Sequence, residues 1–160
     1  WEGKRKEHLL AIDGDKTKLV TDTFTGKVEK TNSKLVELLL SEGYIPVITQ
    51  PAISEKGELI NTDNDRNIAV MARDLGVREL VVLFEAPGLL QDVGDEKSIV
   101  KEVRKENLDE VMRSVEGRMK KKVMGGNEAF DMGVEKIYWG DARIKNPIRS
   151  VLEGMGTILS

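Results

Sequence analysis

Apolar residues along this chain alternate between short, strand-like runs and helical spacing, and that alternation predicts most of the secondary structure. Residues 8–12 and 18–23 are β-prone and flank the turn signal Asp13-Gly14-Asp15, which together predict a β-hairpin. Residues 51–59 predict a loop or a second hairpin that turns at Lys56-Gly57.

A helix and two strands are predicted in the middle of the chain. The helix is capped by Thr31 or Asn32 and ends at Gly43. The apolar run 44–49 predicts a buried strand, although it contains a proline. Residues 79–84 form a continuous apolar run of the kind that parallel sheets bury on both faces.

Helices and strands alternate through the second half of the chain. The predicted elements are a helix over 66–75 closed by Gly76, one or two amphipathic helices within 92–116, a helix over 117–132 interrupted by Gly125-Gly126, a strand over 135–139, a short helix that begins at Asn146-Pro147, and a strand over 157–159. The two glycines inside the helix over 117–132 predict either a kink or a close contact of the helix with its neighbour. This order indicates βαβ units. We therefore predict a single domain over residues 1–160 with an α/β fold: a three-layer α/β/α sandwich with a mainly parallel central sheet, plus a β-hairpin. Ligands of such sheets gather at the carboxyl ends of the strands.

Composition excludes several kinds of chemistry. The net charge of −3 gives no general case for nucleic-acid binding. The absence of cysteine removes thiolate catalysis and Cys-ligated zinc, and it fits a cytoplasmic protein. Neither a membrane-spanning run nor a signal peptide is visible, so we expect no membrane partner. The first residue is Trp1, which indicates a fragment or a processed chain.

Two polar clusters point to phosphoryl transfer when they are taken together. Residues 61–65 read Asn-Thr-Asp-Asn-Asp at the mouth of a predicted helix, where they could orient a substrate and a catalytic cation. The run Lys120-Lys121-Lys122 lies near the start of another helix, whose dipole would favour phosphate. Because consecutive helical residues point in different directions, only one of the three lysines can face a given neighbour.

Each cluster also has a plain structural interpretation. Asp63 and Asp65 could simply cap their helix, and the lysines could form a solvated face. Residues 85–90, which follow the apolar run 79–84, could hold a nucleotide on free backbone N–H groups or could be an ordinary tight turn. The chain has neither a P-loop sequence nor a dinucleotide-binding fingerprint, and protein-kinase signatures are absent.

Six dispersed segments follow one another in a recognisable order: residues 43–48, 57–65, 82–90, 117–123, 143–148 and 154–158. Taken together, they resemble the C-terminal portion of the amino acid kinase family, in its acetylglutamate kinase group. The resemblance covers about residues 25–160. Residues 3–8, 25–29 and 145–148 resemble the branch that phosphorylates α-aminoadipate or glutamate attached to a small acidic carrier protein.

The resemblance implies an enzyme of lysine or arginine biosynthesis that uses ATP with Mg²⁺ to convert a carboxylate into an acyl phosphate. It implies catalytic roles for Lys122, at the transferring phosphoryl group, and for Asp65, which would orient the catalytic lysines. Asn61 would bind the acyl-amino substrate. The implied ATP-binding residues are Phe84, Glu85, Gly88, Leu89, Met119 and Lys122. No metal-ligating residue is implied, since Mg²⁺ would be held mostly by phosphates and water.

The sequence departs from the family pattern in three places. The family's N-terminal portion, with a second catalytic lysine and most of the acceptor pocket, is missing, so we expect the 160 residues alone to be inactive. Arg118 stands where glycine is usual. Phe84-Glu85 replaces a Thr/Ser-Asp pair, which removes a hydroxyl from the nucleotide loop.

Several alternatives stay open from the sequence. The acceptor could be free N-acetylglutamate, the chain could belong to a sister branch of the family, or it could be a non-catalytic nucleotide-binding module. A carrier protein would need a basic docking surface, which Lys4-Arg5-Lys6 with Arg143, Lys145 and Arg149 could supply. The resemblance also implies a homodimer for the complete enzyme.

Overall fold

The computed structural model describes residues 1–13 and 16–160. They form two compact units, Trp1–Leu75 and Gly76–Ser160. Each unit has a four-stranded sheet and helices of its own.

The sheet of the first unit has mixed pairing. Its elements are β1 (Glu2–Arg5), β2 (Leu9–Asp13), β3 (Lys16–Val20), β4 (Gly26–Lys30), α1 (Ser33–Ser41), β5 (Ala52–Ser54), β6 (Leu59–Ile60) and α2 (Asn64–Leu75). The strand order is β4-β1-β5-β6, with β1 antiparallel to β4 and parallel to β5, and with β5 antiparallel to β6. Strands β2 and β3 pair separately as an antiparallel hairpin, as predicted. The predicted turn residues Gly14 and Asp15 lie outside the described residues.

Local signals placed α1 and the β5–β6 hairpin correctly. The Leu35 N–H donates to Asn32 Oδ1 at 3.2 Å, so Asn32 rather than Thr31 caps the helix. Gly43 ends α1 and Gly57 turns the hairpin, both with positive φ. Thr31 instead ties the start of α1 to α2, because its buried backbone N–H donates to Asp74 Oδ2 at 2.6 Å.

The predicted buried strand over residues 44–49 is wrong. The segment is irregular and pairs with none of the described strands, and the side chains of Ile45 and Val47 are 88% and 92% exposed. A strand needs a neighbour for its backbone groups, and this segment has none among the described strands. Apolar composition alone therefore gave a false signal here.

The second unit carries the alternation of strands and helices that the sequence predicted. Its elements are β7 (Glu79–Phe84), β8 (Glu102–Val103), a short 3₁₀ helix (Lys105–Asn107), α3 (Leu108–Ser114), α4 (Gly117–Asp131), β9 (Lys136–Asp141), α5 (Pro147–Leu152) and β10 (Thr157–Leu159). The strand order is β7-β9-β10-β8. Strand β7 is parallel to β9 and β8 is parallel to β10, whereas β9 and β10 are antiparallel.

Helix α4 packs closely on the sheet of its unit. It runs without a break through Gly125-Gly126, so of the two predicted alternatives, a kink or a close contact of the helix, the structure shows the close contact. A Cβ placed on Gly126 would lie 3.4 Å from Leu159 Cδ1 and 3.6 Å from Ile137 Cδ1, so this glycine brings the helix against β9 and β10. Trp139, on β9, is 1% exposed and is the largest side chain of this core.

The prediction of one or two helices within 92–116 is confirmed in its first form, by α3. Ile99 and Val103 lie before it, in an isolated bridge with Leu90 and in β8. The prediction for β7 needs correction. Strand β7 is at the edge of its sheet, so residues 81–84 are half-buried rather than covered on both faces. The predicted α/β class is confirmed. No helix among the described residues has the length and apolar character needed to cross a membrane.

Candidate functional site

The backbone of Asn61 is fixed at the end of β6. Its N–H donates to the Phe24 carbonyl at 2.6 Å, and its carbonyl accepts from the Gly26 N–H at 2.8 Å. The residue itself is exposed. A fixed backbone with an exposed amide side chain is what a ligand-binding asparagine requires.

The residues of the polar turn 61–65 have different structural roles. Asp63 Oδ1 accepts from the Asp65 N–H at 3.0 Å, so Asp63 caps α2. Asn67, which sequence reasoning overlooked, is buried and donates from Nδ2 to Thr62 Oγ1 at 2.7 Å, which fixes the turn from beneath. Asp65 stands half-buried in the first turn of α2. With the cap supplied by Asp63, the carboxylate of Asp65 is not needed for capping.

The loop after β7 is anchored by Thr157 of β10. Thr157 is 0% exposed, and its hydroxyl accepts from the Leu89 N–H at 2.8 Å and donates to the Val100 carbonyl at 2.6 Å. Gly88 sits against it, since a Cβ there would lie 2.5 Å from Thr157 Oγ1. The N–H of Leu89 is therefore engaged within the protein, while Glu85 is exposed at the start of the loop.

The three consecutive lysines of α4 have different surroundings. Lys120 and Lys121 are exposed, whereas Lys122 is half-buried, as is Met119 one turn before it. Lys122 Nζ lies 5.2 Å from the centroid of the Phe84 ring, at the carboxyl end of β7. The second unit therefore brings Lys122 to the strand end where the predicted nucleotide loop begins.

A charged cluster lies at the carboxyl end of β9. Arg143 Nε donates to Asp141 Oδ1 at 2.8 Å and its Nη2 donates to Asp141 Oδ2 at 2.7 Å. The same Nη2 donates to Glu96 Oε1 at 3.0 Å, which ties the segment after the nucleotide loop to the sheet. The side-chain hydrogen bonds from Arg143 lower the pKa of the buried Asp141 carboxyl, and those to Asp141 and then Glu96 raise the pKa of Arg143.

This cluster predicts a pH dependence of stability. Because the folded-state pKa of Asp141 is lowered, its stabilising contribution is complete above the ordinary carboxyl pKa of about 4 and is lost as pH falls through the lower value. We expect Asp141→Asn to flatten the fall in the free energy of unfolding below about pH 5, measured by urea unfolding at a series of pH values. Arg143→Gln should flatten it similarly, and the double variant should add nothing further. If the free energy of unfolding of Asp141→Asn falls below pH 5 as steeply as that of the wild type, Asp141 is not the source of the pH dependence.

Half of the basic residues that we considered as a docking surface form ion pairs with carboxylates. Arg5 lies 3.0 Å from Glu58 and 3.6 Å from Asp22, and Arg149 lies 2.8 Å from Glu153. Arg143 belongs to the cluster just described. Three of the six cations therefore already carry ion pairs within their own unit, which weakens the case for this surface.

The predicted site residues fall in both units. Asn61 and Asp65 lie in the first, and Phe84, Glu85, Gly88, Leu89, Met119 and Lys122 in the second. The second unit brings Lys122 to Phe84 and the loop to Thr157. Sequence reasoning missed the roles of Thr157 and Asn67, because nothing local marks a hydroxyl or amide as the partner of a distant loop.

Comparison with known proteins gives these positions a context. The profile described as the amino acid kinase family matches residues 3–138. A [LysW]-aminoadipate kinase of Thermus thermophilus is 43% identical over 98% of this chain and 59% of its own length. The enzyme of that name from Deinococcus radiodurans is 42% identical over 100% of this chain and 55% of its own. An acetylglutamate kinase of Clostridioides difficile is 32% identical over 85% and 49%.

Solved structures agree on the fold. N-acetylglutamate synthase from Neisseria gonorrhoeae superposes with a TM-score of 0.79 at 17% identity, over 100% of this chain and 37% of that one. Carbamate kinase from Giardia lamblia superposes with a TM-score of 0.66 at 14% identity, over 95% and 50%. The chain spans roughly half to three fifths of the length of the curated relatives it matches. With a profile match over most of its residues, and relatives above 40% identity along nearly all of it, the chain belongs to the amino acid kinase family.

Proposed function

We propose that this chain is the ATP-binding part of a carboxylate kinase. The full protein would transfer the γ-phosphoryl group of ATP to the side-chain carboxylate of α-aminoadipate or glutamate, whose amino group is blocked by attachment to a carrier protein. The observation that carries this proposal is the placement of Lys122: of three consecutive lysines it is the half-buried one, and it meets the strand end where the nucleotide loop begins. The names of the two relatives above 40% identity support the choice of acceptor.

The second unit would bind ATP and neutralise the charge that moves with the phosphoryl group. A phosphoryl transfer needs little covalent chemistry from the protein, so positioning and positive charge supply most of the catalysis. Lys122 would supply the charge, and residues 84–90 with Met119 would form the nucleotide pocket. The Thr157 hydroxyl supports this assignment, since it fixes the loop by two hydrogen bonds.

Mg²⁺ would reach the site with ATP rather than through a cage of protein ligands. Among the residues that the structure describes, no three His, Asp or Glu side chains come together in a way that could hold a metal ion. Mg²⁺ keeps most of its waters and binds phosphate oxygens, so it would enter with the nucleotide. Bound in this way, the ion would neutralise charge on the phosphates.

The first unit would contribute to the acceptor side. Asn61 would hydrogen-bond the acyl-amino group of the substrate through its exposed amide, on a backbone that two hydrogen bonds hold still. Asp65 would orient the catalytic lysines of the complete enzyme. The capping of α2 by Asp63 supports this role, because the helix then does not need the Asp65 carboxylate as a cap.

The acceptor is tested by comparing a carrier-bound amino acid with free N-acetylglutamate. We expect a protein extended to the length of the relatives to form acyl-hydroxamate from carrier-bound α-aminoadipate or glutamate when ATP, Mg²⁺ and hydroxylamine are supplied. Faster turnover of free N-acetylglutamate would favour the alternative that the acetylglutamate kinase relative supports. If no amino-acid acceptor is turned over at all, the kinase proposal fails.

A non-catalytic nucleotide-binding module is the alternative from another class. The length of the relatives makes it a real competitor for the 160 residues alone. Titration calorimetry with ATP and the hydroxamate assay separate the two, when both are applied to the 160-residue chain and to the extended protein. Binding of ATP without turnover in both proteins would favour the module. A cytoplasmic location and a homodimeric complete enzyme stay predictions.

A further inference from the structure

Residues 44–48 form an apolar run that the first unit leaves largely uncovered. The run reads Tyr-Ile-Pro-Val-Ile and carries no charge. The side chains of Ile45 and Val47 are 88% and 92% exposed, whereas Pro46 and Ile48, which alternate with them, are half-buried. This period of two is typical of an extended segment that lies on a core with one face and leaves the other face open.

The backbone of the run is open as well. The Tyr44 N–H donates to the Leu39 carbonyl at 2.9 Å and closes α1. Beyond it, no acceptor in the described part of the chain receives the N–H of Ile45 or of Val47. Successive residues of a strand turn their backbone groups to opposite edges, and Pro46 has no N–H. The edge that carries Ile45 and Val47 is therefore the one on which another strand can pair without a gap.

The first unit exposes further large apolar side chains just before and just after this run. On α1, which precedes it, Leu35 and Leu38 are exposed. On β5 and β6, which follow it, Ile53 and Leu59 stand opposite each other in the antiparallel register, and both are exposed. Exposed apolar surface of this extent marks a contact with another part of a protein or with another protein.

The lengths of the relatives indicate what is available to cover this surface. The match to the Thermus thermophilus relative takes 159 residues and 59% of that protein, so roughly 110 of its residues, the size of a domain, lie outside the match. A domain keeps a fixed position on its neighbour when the interface is large and hydrophobic. An acidic carrier protein fits this surface less well, because an uncharged run offers no complementary charge.

We propose that residues 44–48 are the docking strand for the part of the full-length protein that lies outside these 160 residues. A strand of that part would pair with the edge that carries Ile45 and Val47, and neighbouring apolar side chains would cover the exposed leucines of α1. The run would then have the strand neighbour that it lacks among the described strands. This docking role goes beyond the kinase reaction and does not depend on it.

Amide hydrogen exchange tests the pairing in the wild-type sequence. We expect the amides of Ile45 and Val47 to exchange at least about 100-fold more slowly in the extended protein than in the 160-residue chain, because strand hydrogen bonds would protect them. Amides within α2 serve as the reference, since they should be protected in both proteins. Equal exchange of Ile45 and Val47 in the two folded proteins would overturn the proposal. Protection that rises with the concentration of the 160-residue chain would overturn it too, because a second copy would then be the occupant.

Two lysine substitutions at equally exposed valines test the side-chain contact. Val47→Lys and Val93→Lys make the same change at positions that are 92% and 91% exposed. In the extended protein we expect Val47→Lys to lower the urea concentration at the unfolding midpoint by about 1 M or more, since a charge would be buried at the docked surface. Val93→Lys should shift this midpoint by less than about 0.2 M, and so should both substitutions in the 160-residue chain.

A milder variant covers the case in which Val47→Lys does not fold. Val47→Ala adds no charge, and it should lower the unfolding midpoint of the extended protein by about 0.3–1 M while leaving that of the 160-residue chain unchanged. A midpoint of the extended protein that no substitution of Val47 lowers further than Val93→Lys does would contradict the docking role.

Discussion

Replacing Lys122 by alanine is expected to lower kcat of the extended enzyme by about 10³-fold or more, the loss expected when a cation that stabilises phosphoryl transfer is removed. The physical reason is that charge on the moving phosphoryl group would lose its neutralising partner. The fold should survive, because Lys122 is half-buried with its ammonium at a strand end rather than within the core. Hydroxamate formation gives kcat, and urea unfolding gives the stability of the variant.

The neighbouring lysine provides the control for this prediction. Lys121→Ala removes the same charge one residue away, from an exposed position on α4, and should leave kcat within about threefold. Losses of similar size in both variants would mean that the whole basic run acts as a diffuse field. Wild-type kcat in Lys122→Ala would refute the assignment of Lys122.

Gly88→Ala is expected to weaken ATP binding by about tenfold to a hundredfold, since it displaces the nucleotide loop. A Cβ at this position would lie 2.5 Å from Thr157 Oγ1 and 3.1 Å from Thr157 N, so either the loop or β10 must move. Thr157 cannot yield easily, because it is fully buried and its hydroxyl bonds both Leu89 and Val100. Overpacking of this kind should also cost about 1–3 kcal/mol of stability.

Gly94, which lies just after this loop, offers a matched control. Gly94 is exposed, and a Cβ there would meet only Asp92 Oδ1, at 3.3 Å. Gly94→Ala should therefore change ATP affinity less than about twofold and stability by less than about 0.5 kcal/mol. Calorimetric titration with ATP and urea unfolding measure the two quantities. Unaltered ATP affinity in a folded Gly88→Ala protein would remove this loop from the nucleotide site.

Elements with local signals could be predicted from the sequence. Asn32 is a residue type that favours the N-cap, and its side chain caps α1 in the structure. Gly76 is a residue type that favours the position after a helix, and it ends α2 with a positive φ. The strand predicted over residues 44–49 does not form, because a strand needs a pairing partner and an apolar run does not indicate which strand that partner is. At Gly125-Gly126 the sequence left a kink and a close contact open, and the sheet beneath Gly126 decides for the contact.

The residues of the candidate site were proposed from dispersed motifs, and their roles stay predictions. The residues that support it were missed because their partners are far away in the chain. Thr157 and Leu89 are 68 residues apart, and Arg143 and Glu96 are 47 apart. Phe84 was predicted as an ATP-binding residue that lacks the usual hydroxyl; the closeness of its ring to Lys122 becomes visible once β7 and α4 are folded together. Motifs thus indicate the chemistry, and packing shows what holds it in place.

The central claim is that a substrate carboxylate attacks the γ-phosphorus of ATP, and oxygen labelling tests it most directly. The extended protein would be given ATP, Mg²⁺ and an acceptor with ¹⁸O at both oxygens of its side-chain carboxylate, with hydroxylamine present to trap the product. Attack forms a bond from carboxylate oxygen to phosphorus and releases ADP. Hydroxylamine then attacks the carbonyl carbon, and the bridging oxygen leaves with phosphate. We expect one ¹⁸O in each phosphate released with hydroxamate; phosphate free of ¹⁸O would contradict the account.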